Sequence, residues 1–175
     1  LESTHVMQVP TGTELPKDGK VQMYPCHSFE FHVVLCVIDP EIGKPELRRY
    51  VIGHDCGTVI NPHIVKGMTL GGIAHGIGAA LYEQCLYDER GQMLNGNMAD
   101  YLVPMAVEMP DIQCGHVVSP TADSELGAKG AGEAGTAGAP ACIMNAINDA
   151  LRPLGAQPLT DMPFTPDKVL RALGK

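Results

Sequence analysis

The stretch from Ile64 to Leu81 constrains this chain more than any other. Leu70, Ile73, Ala74, Ile77 and Leu81 recur there at helical spacing. Five glycines, at 67, 71, 72, 76 and 78, interrupt the pattern. Each costs a helix roughly 1 kcal/mol relative to alanine, a load that a solvated surface helix does not tolerate. A helix pressed against another body can use them, because glycine removes the side chain that would hold that body away. Gly72 and Gly76 lie four apart and so share one helical face.

The surrounding sequence supplies a small sheet and two further helices. Phe29 to Ile38 is β-branched and aromatic and predicts a strand. Asp39 to Lys44 is a turn by its Pro and Gly, and Glu46 to Ile52 returns as a hairpin. Gly91 to Pro110 is irregular, Ile112 to Val118 is a short strand, and Ser119 to Thr136 is a long glycine-rich loop. Ala141 to Arg152 is an amphipathic helix, with Pro140 suited to its first turn and Pro153 and Gly155 marking its end. A last helix takes Thr165 as N-cap and runs to about Leu173. Residues 1–28 are polar and turn-rich and read as an extended arm or loop. Residues 29–175 form one α+β domain, a mixed two-layer arrangement of sheet and helices in strand-strand-helix-strand-helix order.

Charge and cysteine usage exclude several function classes. A formal net charge of −8 opposes phosphate binding, so nucleic acid is no partner. No apolar run reaches membrane-spanning length and no secretory signal opens the chain. Six cysteines, at 26, 36, 56, 85, 114 and 142, contain no C-x-x-C pair, which argues against zinc or an iron–sulfur cluster within this chain. The apolar neighbours of Cys36, Cys85 and Cys142 favour reduced thiols and a cytoplasmic location. His54, Asp55, Cys56 and His63 suit no standard metal spacing, so no protein-held metal is expected. Leu1 is not a start residue, and the chain reads as a fragment or a processed subunit.

The candidate chemistry sits in Gly127-Ala128-Lys129-Gly130-Ala131-Gly132-Glu133-Ala134-Gly135-Thr136. Gly130 to Gly135 formally satisfies G-x-G-x-x-G, but a dinucleotide site needs an apolar strand directly before it. Ala122-Asp123-Ser124-Glu125-Leu126 stands there instead. A carboxylate among glycines lets a bulky ligand approach closely and leaves few neighbours to pair with the acid, whose protonation then depends on burial and on the ligand. A surface loop with an incidental glutamate remains the other reading of the spacing alone.

This decapeptide, followed by Ala137-Gly138-Ala139-Pro140 and the Asn145 to Leu151 helix, resembles the signature of molybdenum hydroxylase large subunits. That family comprises xanthine dehydrogenases, aldehyde oxidases and molybdenum-dependent carbon monoxide dehydrogenases. Gly71 to Glu83 resembles the family's glycine-rich helix against the pterin cofactor, with His75 where members commonly carry Gln. A satisfied core histidine is the other reading of His75. Asp55 to Pro62 resembles the strand end and turn leading into that helix. The resemblance runs from about Phe29 to Leu173 and covers the C-terminal part of a typical large subunit.

The resemblance implies a catalytic general base, Glu133. It implies cofactor contacts at Gly71, Gly72, His75, Gly76, Lys129, Gly130, Ala131 and Gly132. It also implies a molybdenum–molybdopterin cofactor, plain or as the cytosine dinucleotide, and hydroxylation of an aldehyde or nitrogen heterocycle with oxygen from water. Implied partners are the rest of the molybdenum subunit and iron–sulfur and FAD subunits or domains, so the chain alone is expected to be inactive. Two alternatives stay open: a pterin-binding fragment without turnover, and a fragment of an NAD-dependent dehydrogenase.

Overall fold

The computed structural model describes residues 2–6, 18–19 and 24–175. Of the expected arm, residues 1, 7–17 and 20–23 lie outside the described residues, while 2–6 and 24–28 contain no helix or strand. The elements that follow are β1 (Phe29–Asp39), β2 (Lys44–Asp55), α1 (Pro62–Leu81), β3 (Asp111–His116), α2 (Ala134–Leu151) and α3 (Pro166–Ala172). Short 3-10 turns lie at Ala106–Glu108 and Arg152–Leu154. β1 pairs antiparallel with β2, and β2 pairs parallel with β3. A parallel pair needs a crossover, and α1 provides it.

The helices cover one face of this three-stranded sheet, giving the expected α+β layers. Tyr50 and Ile52 of β2 meet Ile73 and Ile77 of α1 and Ile143, Ile147 and Leu151 of α2 in a fully buried core. Phe164 and Val169, beside and within α3, close one end of it. Asn61 starts α1 by accepting hydrogen bonds from the His63 and Ile64 amides at 3.1 and 3.2 Å, with Pro62 at the first helical position.

Two helix expectations need correction. α2 begins at Ala134, not Ala141, and so takes Pro140 into its interior. Small residues explain the early start. The Ala134 to Ala139 run has no bulk to hold α1 away, and the Thr136 hydroxyl donates to the Gly72 carbonyl at 3.2 Å. The second correction concerns Gly72 and Gly76, read as an outward contact with cofactor. They face α2. A Cβ on Gly72 would lie 3.0 Å from the Gly135 Cα, one on Gly135 would lie 2.2 Å from the Thr69 carbonyl oxygen, and one on Gly76 would lie 2.4 Å from the Ala139 Cβ. The same helical side carries Ile73 and Ile77 into the core, so the pair of glycines is spent on helix–helix contact.

The membrane expectation also changes. α1 is 20 residues long with a mean hydropathy of 1.3, enough to cross a membrane by length and composition, yet half of it is buried inside the protein. Packing against α2 and the sheet accounts for its apolarity.

The far face of the sheet is different. Phe29, Phe31, Val33, Leu35 and Val37 alternate along β1 and point away from the helices, between 46% and 64% exposed. Val34, Cys36 and Ile38 pack inward against the core. A strand apolar on both faces is the pattern of one buried on both faces.

Candidate functional site

The loop that carries Glu133 is fixed at one point, the end of β2. Lys129 N–H donates to the Cys56 carbonyl at 2.8 Å, and Thr58 N–H donates to the Gly127 carbonyl at 3.1 Å. Gly57 and Gly127 both adopt positive φ, 66° and 69°. A Cβ on Gly57 would strike the Gly127 oxygen at 2.2 Å, so only glycine allows the approach. Asp55 ties three segments together. It accepts from the Gly57 amide at 2.8 Å, from the Ser119 amide at 3.2 Å, and from the Lys129 ammonium at 3.2 Å. These donors, the Gly57 amide foremost, hold its carboxyl well below the usual carboxylate range.

Lys129 therefore does a different job from the one its sequence position suggests. Its side chain is buried, its ammonium is committed to Asp55, and it lies 5.2 Å from the centre of the Phe29 ring. The expected cofactor contact at Lys129 becomes an anchor of the loop.

Glu133 is the N-cap residue of α2. Its carbonyl accepts from the Thr136 and Ala137 amides at 3.0 and 3.1 Å. Its exposed carboxylate makes no capping bond and has no partner among the described residues. The side chain lines a cleft of about 500 Å³ with Tyr24, His27, Glu30, Gly130 and Gly132. A Cβ on Gly130 or Gly132 would meet nothing within 4 Å, so the loop presents bare backbone to open space. The amides of Gly130, Ala131 and Gly132 donate to no backbone acceptor among the described residues. Gly71 and His75 are exposed on the side of α1 away from Gly72 and Gly76, and neither lines this cleft.

A polar group at one end of the inner sheet face escaped the sequence reading. Glu30, His54 and His116 are lateral partners across the three strands. His32 Nδ1 lies 2.6 Å from the Tyr50 hydroxyl, and its Nε2 lies 3.7 Å from Glu30 Oε1. Both ring nitrogens of His54, Nε2 of His32 and Oε2 of Glu30 are enclosed without a partner. Burial lowers the pKa of His32, with the His54 ring adding to it. Burial also lowers that of His54, with His116 adding to it. The signal was present, since alternation from Val34 and Cys36 puts Glu30 and His32 on the inner face. Among the described residues no group of three His, Cys, Asp or Glu side chains is placed to hold a metal ion.

The dinucleotide alternative fails on this geometry. β3 ends at His116, far before Gly130, so no strand leads into the glycines.

Residues 2–110 match the family model of the molybdopterin cofactor-binding domain. The chain belongs to this family. It is 39% identical over 141 residues to the nicotine 6-hydroxylase large subunit of Paenarthrobacter nicotinovorans, a match covering 81% of this chain and 17% of that protein. It is 35% identical over 170 residues to the carbon monoxide dehydrogenase large chain of Hydrogenophaga pseudoflava, covering 95% and 21%. Among solved structures, quinoline 2-oxidoreductase from Pseudomonas putida 86 superposes with a TM-score of 0.79 at 36% identity, covering 82% of this chain and 18% of that one. The chain thus spans about a fifth of the length of the curated relatives it matches. As a molybdopterin cofactor-binding domain, it offers a cleft that fits a pterin group. Gly130 and Gly132 keep one wall clear, and their free amides are donors of the kind that phosphate and pterin oxygens accept.

Proposed function

We propose that this domain forms the base-bearing wall of the cofactor site in a molybdenum-dependent oxidoreductase. The enzyme hydroxylates an aldehyde or a nitrogen heterocycle with oxygen from water. One observation carries the proposal: Glu133 stands unpartnered at a cleft whose nearest backbone, Gly130 and Gly132, is bare. A carboxylate without a partner is free to accept a proton from a group bound beside it. The amides of Gly130, Ala131 and Gly132 donate to the cofactor. Gly71 and His75 offer a second contact on the open side of α1. Asp55 and Lys129 hold the loop in place. When bound, the molybdenum–molybdopterin group, plain or as the cytosine dinucleotide, supplies the two-electron redox chemistry and acidifies water.

The remaining walls come from the rest of the molybdenum subunit, and iron–sulfur and FAD partners take the electrons. All six cysteines are free thiols, which supports a cytoplasmic setting.

Glu133→Gln keeps size and removes the proton acceptor. In the assembled enzyme it should slow reduction by substrate about a hundredfold to ten-thousandfold, with molybdenum and pterin content unchanged. Glu125→Gln, an exposed carboxylate in the same loop, is the control. Stopped-flow reduction normalised to molybdenum measures it, and a Glu133→Gln enzyme reduced at the wild-type rate would make the loop structural.

A further inference from the structure

The segment after α1 closes on itself through one side chain. Leu94 N–H donates to the Leu86 carbonyl at 2.8 Å, Asp88 N–H donates to the Gln92 carbonyl at 2.9 Å, and Tyr87 bridges Met93 antiparallel. Asn95 fastens the open end of this hairpin. Its Oδ1 accepts from the Leu86 amide at 2.9 Å, and its Nδ2 donates to the Gln84 carbonyl at 2.6 Å. Asn95 is only 7% exposed. One main-chain donor and one main-chain acceptor face it, so a carboxamide satisfies both and a carboxylate satisfies only one. Asn148 makes a similar clamp, with both its side-chain atoms on the Leu159 main chain.

The residue that follows sets Asn95 apart. The five asparagines, at 61, 95, 97, 145 and 148, precede Pro62, Gly96, Met98, Ala146 and Asp149. Only Gly96 lacks a Cβ, so its main-chain nitrogen meets the least obstruction on the way to the carboxamide carbon of the residue before it. Gly96 is exposed. A Cβ built on it would meet only the Met93 side chain, at 3.5 Å and beyond, so packing does not require the glycine. The pair is chemically labile by sequence, and the fold holds its carboxamide in a buried clamp.

We propose that Asn95–Gly96 is a site of spontaneous deamidation that the hairpin holds shut, and that the product cannot close the hairpin again. Cyclisation turns the carboxamide onto the Gly96 nitrogen, which breaks both clamp bonds. The Gly96 nitrogen then bonds to the Asn95 side-chain carbon, the bond from that carbon to Nδ2 breaks, and ammonia leaves with the Gly96 proton. Water opens the cyclic imide at either carbonyl, leaving aspartate or its β-linked isomer. Water is the sole co-reactant. Aspartate turns an acceptor toward the Gln84 carbonyl where a donor stood. The β-linked isomer lengthens the main chain beside the Leu94–Leu86 bond. Both products loosen a hairpin that carries Leu86, Tyr87 and Leu94, apolar side chains already on the surface.

Peptide mass spectrometry of the assembled enzyme, held in mildly alkaline buffer with and without denaturing urea, tests the site. Asn95 should convert at least about tenfold more slowly in the native enzyme than in urea, the factor that two net hydrogen bonds supply. In urea Asn95 should outrun Asn148, which has a clamp but no glycine after it. Gly96→Ala should remove most of the conversion in urea and leave native stability intact. Asn95→Asp should raise hydrogen exchange at the Leu86 and Leu94 amides about tenfold, and Asn145→Asp, on the exposed side of α2, should leave it unchanged. Equal conversion in native buffer and in urea overturns the proposal. So does undiminished conversion in Gly96→Ala, and so does an Asn95→Asp enzyme with wild-type exchange.

Discussion

At the scale of single residues, Asp55 matters most for the site although it does no chemistry. It joins its own turn, the exit of β3 and the Glu133 loop through three donors. Its folded pKa is depressed, so its contribution is fully present above the unfolded value of about 3.9 and fades as pH falls below it. Asp55→Asn should therefore destabilise at pH 7 and remove part of the acid sensitivity below about pH 4. Lys129→Met, which leaves the carboxylate unpaired by its ammonium, should cost about 2–3 kcal/mol. Denaturant melts at neutral and acid pH check both, and a Lys129→Met protein of wild-type stability would remove the anchor role. The sequence placed Glu133 and Lys129 in one loop but could not separate their tasks. Two residues four apart in an irregular segment carry no periodicity to say which way each points. Asp55, 74 residues away, is legible only once the fold joins the two.

At the scale of elements, legibility followed regularity. β1, α1 and α3 lie close to where composition and capping put them. β2 runs three residues further, to Asp55, because Gly53 and His54 pair with both neighbouring strands and Asp55 with Phe29 of β1. α2 was misjudged because glycine, alanine and an interior proline resemble a loop, and only the partner helix makes so small a stretch helical. Contact with α1 replaces propensity there. That contact makes a graded prediction. Gly76→Ala should cost about 1–3 kcal/mol by overpacking against the Ala139 methyl, and Ala139→Gly in the same chain should restore most of it. Gly72→Ala meets backbone at Gly135 and Thr136, so no truncation across the interface can relieve it. Thermal melts of the two singles and the double decide this, and failure of the double to recover would mean that the helices are not seated as described.

At the scale of the whole molecule, the outer face of β1 sets the terms. A row of five exposed apolar side chains on one strand is more than a self-sufficient domain carries. Purified alone, the chain should bind a dye for exposed apolar surface, self-associate, and hold far less than stoichiometric molybdenum. Phe31→Lys with Leu35→Lys should reverse the self-association and weaken assembly with the rest of the enzyme. Size-exclusion chromatography with light scattering and metal analysis read these outcomes. A monodisperse, molybdenum-loaded chain would show that the site is complete without partners. The same face has a bearing inside the cell. Chaperones and proteases find their clients by exposed apolar strands, and an orphaned copy of this domain displays one. Where nothing covers it, that row is the surface by which such a copy would be recognised.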